Sequence, residues 1–72
     1  MADLSPNEYD VLERAVADGS RISVYRRGTE YLVVPMRIFL QDGREAIEAR
    51  HPTTGDRIIL RIDDIEGFEV VR

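Results

Sequence analysis

Hydrophobic residues along the chain recur first at helical spacing and then, beyond Gly19, at every second position. Tyr9, Leu12 and Val16, with Ala15 beside them, form one apolar stripe, while Asp10, Glu13, Arg14 and Asp18 fall on the opposite face. Ser5 is a good N-cap, Pro6 suits the first helical position, and Glu8 completes a capping box with Ser5. Leu4 and Tyr9 occupy the hydrophobic staple positions across that cap, and Gly19 is placed to close the last turn. The pattern predicts a helix over residues 5–18.

From residue 21 the period is two. Ile22 and Val24 alternate with Ser23 and Tyr25, and Arg27-Gly28 makes a turn. A long strand follows, with Leu32, Val34, Met36, Ile38 and Leu40 on one face and Tyr31, Val33, Pro35, Arg37 and Phe39 on the other. The first of these faces is expected to point inward. Asp42-Gly43 is a two-residue hairpin signal of the type that needs positive φ at both central residues. Taken literally, it sets Ile38 opposite Ile47 and Met36 opposite Ala49 inside, with Arg37 opposite Glu48 outside as a cross-strand ion pair.

A third strand over 45–50 leads through His51-Pro52-Thr53-Thr54-Gly55-Asp56 into a fourth, whose Ile58, Leu60 and Ile62 face inward. Asp63-Asp64-Ile65 reads as a single 3₁₀ turn, and residues 68–71 as a last short strand. Pro35 in mid-strand predicts a bend or bulge where one sheet hands over to another. With 72 residues there is room for one domain: a helix over 5–18, then a five-stranded antiparallel barrel of the SH3/Sm-like kind over 21–72. Closure into a barrel is expected because it removes exposed strand edges.

Composition narrows the function. The chain has no cysteine and a single histidine, His51, so thiolate zinc sites, disulfides and histidine-rich metal centres are excluded. No Gly-rich phosphate loop or Ser/His/Asp set is present. Neither a signal peptide nor a membrane span is legible, so the expectation is a cytoplasmic, non-enzymatic protein without a cofactor. All ten basic residues are arginine, and they are unevenly placed. Residues 1–20 hold five acids against one arginine, residues 21–62 five acids against eight arginines, and residues 63–72 four acids against one. A basic centre is thus flanked by acidic ends, and the overall charge of −4 weighs against nonspecific DNA binding.

Four groups of residues invite a functional reading. One of Asp63 and Asp64 reads as the cap of the short turn and the other as a solvated neighbour, rather than the two as an acid–base pair, and His51 reads as a loop histidine. Tyr25, Arg26, Arg27, Arg37 and Arg61, with Arg21, Arg50, Tyr31 and Phe39 nearby, form a candidate aromatic–arginine surface for nucleic acid or a nucleotide ligand. Its bland counterpart is a solvated face neutralised by Glu30, Glu45 and Glu48. Tyr31, Val33, Pro35, Phe39 and Ile59 form an apolar set too large to leave in water, expected to lie under the helix or in a homodimer or partner interface. Asp10, Glu13 and Asp18 would suit docking onto a basic protein groove.

Two families are similar in part. Glu8-Tyr9-Asp10-Val11-Leu12-Glu13-Arg14-Ala15 and Ile62-Asp63-Asp64-Ile65-Glu66-Gly67-Phe68 resemble the Rho-binding inhibitor of transcription termination, over about residues 8–68. Val34-Pro35-Met36, Gly43 and Arg61-Ile62-Asp63-Asp64-Ile65 resemble the WYL domain of bacterial regulators, over about residues 22–66. The tripeptide that names the WYL domain would fall at Glu45-Ala46-Ile47 and is absent. The first resemblance implies a regulatory protein of the bacterial transcription machinery, docking through Asp10, Glu13 and nearby acids. The second implies a sensor that binds nucleic acid or a nucleotide through Arg26, Arg27, Arg37 and Arg61.

Overall fold

The structure, a computed structural model, describes residues 4–71. Helix α1 (Pro6–Asp18) precedes strands β1 (Arg21–Arg26), β2 (Thr29–Gln41), β3 (Arg44–Arg50), β4 (Arg57–Arg61) and β5 (Gly67–Val71). A 3₁₀ turn at Ile62–Asp64 joins β4 to β5.

The helix begins and ends where its sequence signals place it. Glu8 donates its backbone N–H to Ser5 Oγ at 3.2 Å, and Ser5 N–H donates to Glu8 Oε1 at 2.8 Å, so the capping box is complete. At the other end Gly19 takes φ 68°, and the N–H groups of Gly19 and Ser20 return to the carbonyls of Val16 and Ala15. Leu12 and Ala15 are buried in one cluster with Ile22, Val24, Val33, Ile47, Ala49, Leu60, Ile62 and Ile65, and Tyr9 packs against it. The helix therefore supplies one wall of the core.

Both hairpins are two-residue turns. Arg26 pairs with Thr29 and Gln41 with Arg44, leaving Arg27-Gly28 and Asp42-Gly43 at the corners. All four corner residues have positive φ, between 51° and 77°. Glycine reaches that region without strain, and Asp tolerates it, which is why Asp42-Gly43 fixes the register so firmly. Arg37 faces Glu48 and Ile38 faces Ile47, as the turn demands.

One pair departs from expectation. Pro35, not Met36, lies opposite Ala49, and the register shifts between Pro35 and Arg37. Met36 is the extra residue of a β-bulge, at the position where Pro35 supplies no N–H to the ladder. One inserted residue reverses the alternation. Before the bulge the odd-numbered Tyr31 and Val33 join the core, and Leu32 is exposed. After it the even-numbered Ile38 joins the core, and Met36 and Leu40 are exposed. The expected inner face of Leu32, Val34, Met36, Ile38 and Leu40 is corrected accordingly. The apolar set divides too: Tyr31, Val33 and Pro35 belong inside, in part beneath α1, and Phe39 and Ile59 lie on the other face beside β3.

The expected barrel closure is also corrected. The strands form one antiparallel sheet in the order β4-β3-β2-β1-β5, with no ladder joining β4 to β5. The chain crosses from one edge to the other through the 3₁₀ turn, and Ile62 and Ile65 enter the core there. The fold is mainly β, with one helix on an open, bent sheet.

Leu12 is fully buried, so Leu12→Ala should destabilise the domain by about 2–5 kcal/mol, enough to unfold much of a protein of this size. Met36→Ala should cost less than about 1 kcal/mol, because the bulge residue is nearly half exposed. Urea unfolding followed by circular dichroism measures both.

Candidate functional site

The face of the sheet opposite the Ile47–Leu60 core side carries a cluster of arginines, built by the hairpin register. Because β3 pairs with β2 on one side and β4 on the other, Arg37, Glu48 and Ile59 lie in one row across three strands. Phe39, Ala46 and Arg61 form the next row, and Val34, Arg50 and Arg57 the row on the other side. Arg37, Arg50, Arg57 and Arg61 are all exposed, and Glu48 beneath them is buried.

Glu48 anchors two of these arginines. Arg37 Nε donates to Glu48 Oε1 at 2.5 Å, and Arg57 Nη1 donates to Oε2 at 3.1 Å. The hydrogen bonds from Arg37 and Arg57, in that order, hold the Glu48 carboxyl below the usual glutamate range. The Arg37 guanidinium also lies 4.6 Å from the centre of the Phe39 ring, so it is held from below by a carboxylate and beside by an aromatic face. Each guanidinium carries five N–H donors, and the carboxylate takes only part of that capacity. Arg50 has no ion pair among the described residues, although it sits directly across from Arg57. Two like charges side by side, of which only Arg57 has a carboxylate partner, form a site that an anion would stabilise.

Farther out, Arg61 reaches Asp42 at 3.9 Å and Arg44 pairs with Asp63 at 3.1 Å. Asp63 is therefore an ion-pair partner and not the cap of the turn, whose preceding residue Arg61 makes no side-chain cap. Among the described residues no cluster of histidine and carboxylates could hold a metal ion, and no helix is long and apolar enough to cross a membrane.

The remaining residues singled out in the sequence lie elsewhere. Arg26 points to the core side, where Nη2 donates to the Tyr31 hydroxyl at 3.2 Å and the guanidinium stacks on the Tyr31 ring. Tyr25 lies opposite Glu30 and donates to Glu69 at 3.5 Å. Burial first, then the charges of Glu69 and Glu30, push its phenol above the ordinary value of 10.0. Arg27 is exposed at the hairpin corner, where Gly28 N–H donates to Glu66. Ser23 donates to Glu30 at 2.6 Å. This end of the sheet is lined by carboxylates, so Tyr25, Arg26 and Arg27 do not extend the surface of Arg37 and Arg61.

The expected neutralisation by Glu30, Glu45 and Glu48 reduces to Glu48 alone. Arg57 is the member that sequence reasoning does not single out. Its signal was available: carrying the Asp42-Gly43 register one strand further places it on the face of Arg37. Asp10, Glu13 and Asp18 are exposed on α1 but do not share one surface. Glu13 borders a cavity of about 220 Å³ with Val16, Arg37 and Ile38, whereas Asp18 borders one of about 420 Å³ beside β5. His51 lies in the β3–β4 loop, half-buried, with its backbone bonded to Asp56 and Gly55.

Neither a protein-family model nor a curated protein matches the chain. Among solved structures, proteasome accessory factor B/C (PafBC) of Arthrobacter aurescens is similar, with a TM-score of 0.73 and 20% identity. The likeness covers 97% of this chain and 12% of that one, so this chain spans a small part of its neighbour's length. It shows the fold. PafBC contains a WYL domain, consistent with the weaker of the two sequence resemblances, and no comparison supports the resemblance to the Rho-binding inhibitor.

Glu48 gives the site a pH signature. A carboxyl whose pKa is lowered by folding contributes stability above its unfolded value, and loses it as pH falls through the folded value. Wild type should therefore exceed Glu48→Gln in stability at pH 7, and the difference should shrink on acidification below the ordinary value of 4.5. Urea unfolding of both proteins across that range measures the difference.

Proposed function

We propose that this chain is a WYL-like regulatory binding module that takes single-stranded nucleic acid, or a nucleotide with the same phosphate chemistry, on its arginine face. The observation that carries the reading is the placing of Arg37, Arg50, Arg57 and Arg61 on one face of the sheet, two of them held by the buried carboxylate of Glu48. Guanidinium groups match phosphate oxygens in fork geometry, and the tethering of Arg37 and Arg57 by Glu48 lowers the entropy those two lose on binding. Phe39 and Ile59 lie within the same rows and offer base-stacking and apolar contact. The likeness to PafBC supports this assignment over docking through the acidic helix, whose three carboxylates border different parts of the surface.

The module has no catalytic role in this reading. Its overall charge of −4 keeps nonspecific attraction low, so affinity rests on the few arginines of one face.

Titration of a labelled single-stranded oligonucleotide, followed by fluorescence anisotropy at low salt, tests the proposal. Binding should weaken steeply between about 50 and 200 mM salt. Arg50→Ala with Arg61→Ala leaves both anchors of Glu48 in place, and should reduce the logarithmic salt slope by about 0.7 for each phosphate no longer neutralised. Absence of binding at low salt, or an unchanged slope in the double variant, overturns the assignment.

A further inference from the structure

The two ends of the sheet are protected unequally. β4, at one end of the strand order, begins and ends with exposed arginines, a charged guard of the kind that discourages edge-to-edge pairing. β5, at the other end, reads Gly67-Phe68-Glu69-Val70-Val71. It has no proline, no basic residue and no bulge in its pairing with β1, and it turns one row of backbone N–H and C=O groups away from the sheet.

A groove runs alongside this edge. Asn7, Val11, Arg14 and Asp18 recur at helical spacing and give α1 a second stripe, distinct from the Leu12 stripe that enters the core. Between this stripe and β5 lie two adjoining cavities, of about 210 and 420 Å³. Val11 and Val70 line both, and Phe68 lines the first. Val11 remains 42% exposed, an apolar side chain with room beside it.

We infer that the free edge of β5 and this groove dock an extended, basic segment of another protein, added to the sheet as a sixth strand. Main-chain pairing with β5 would supply affinity, and every second side chain of the incoming strand would pack against Val11, Phe68 and Val70. Charge sets the chemistry of the partner: among the described residues, Glu8, Asp18 and Glu69 border the groove against Arg14. Glu8 and Glu69 each use one carboxylate oxygen, toward Ser5 and Tyr25, and keep the other for a lysine or arginine. A second copy joined through β5 itself is disfavoured, because symmetric antiparallel pairing of this strand sets Glu69 opposite Glu69. The surface is separate from the arginine face, since β5 and β4 close opposite ends of the strand order.

The probes are synthetic peptides of alternating valine and lysine, the same length with glutamate for lysine, and a valine–lysine version interrupted by proline. They are added to the full chain labelled with ¹⁵N. The valine–lysine peptide should shift the amide signals of residues 67–71 and Val11, and the other two should bind more weakly by about tenfold or more. Val11→Arg and Glu69→Lys should each weaken binding by a similar factor while leaving oligonucleotide binding intact, so failure here is distinguishable from failure of the proposed function. No shift at β5, shifts confined to the arginine face, or indifference to Val11→Arg overturns the inference. Sedimentation showing that the free protein already pairs β5 with β4 of another copy overturns it in favour of self-assembly.

Discussion

The structure depends on one inserted residue. Met36 has no partner on β3, and its insertion lets a single strand serve two faces of the molecule. Without it, the alternation that puts Tyr31 and Val33 against the core would carry Arg37 and Phe39 inward as well. Burying Arg37 would strand a charge, and expelling Ile38 would open the core beside Ile47. The bulge settles both at once. It keeps Tyr31 and Val33 inside before the insertion and Ile38 after it, and it places Arg37 on the face where Glu48 waits. Pro35 makes the insertion cheap, since it has no N–H for the ladder to lose.

How much of this could be read from the sequence follows from how local each signal is. The helix was legible to the residue at both ends because capping chemistry is local: Ser5 and Glu8 satisfy each other within one turn. The second hairpin was legible for the same reason, and Arg37 opposite Glu48 came with it. Pro35 marked the position of the bulge. What it could not mark was which residue would be left over, and an unbroken alternation of apolar residues from Leu32 to Leu40 concealed the reversal. Barrel closure failed as an expectation for another reason. No ladder joins β4 to β5, and no local pattern in the sequence distinguishes two open edges from a hydrogen-bonded pair.

The candidate site shows the same division. Arg37 and Arg61 could be placed on one face from the register alone, and Arg50 with them. Tyr25, Arg26 and Arg27 are close to one another in sequence, but adjacent residues on a strand point to opposite sides. The fold sends Arg26 to the Tyr31 ring and leaves Tyr25 among carboxylates. Similarly, Asp10, Glu13 and Asp18 share a polar side of the helix in projection, yet the sheet beneath divides them between β2 and β5.

The uneven charge of the chain then acquires a spatial meaning. Arg37, Arg50, Arg57 and Arg61 of the middle segment cover the β2–β3–β4 face, and most acids of the two ends collect around α1, β5 and the first hairpin. Two surfaces of opposite sign on one small domain favour partners of opposite charge, and each would repel a ligand suited to the other. The segregation also works against the folded state, because like charges crowd together on each side. Glu48 offsets part of that cost between Arg37 and Arg57, and it does so from a buried position that leaves the guanidinium groups outermost. The carboxylate that stabilises the face in the absence of a ligand is thus placed so that it does not block one.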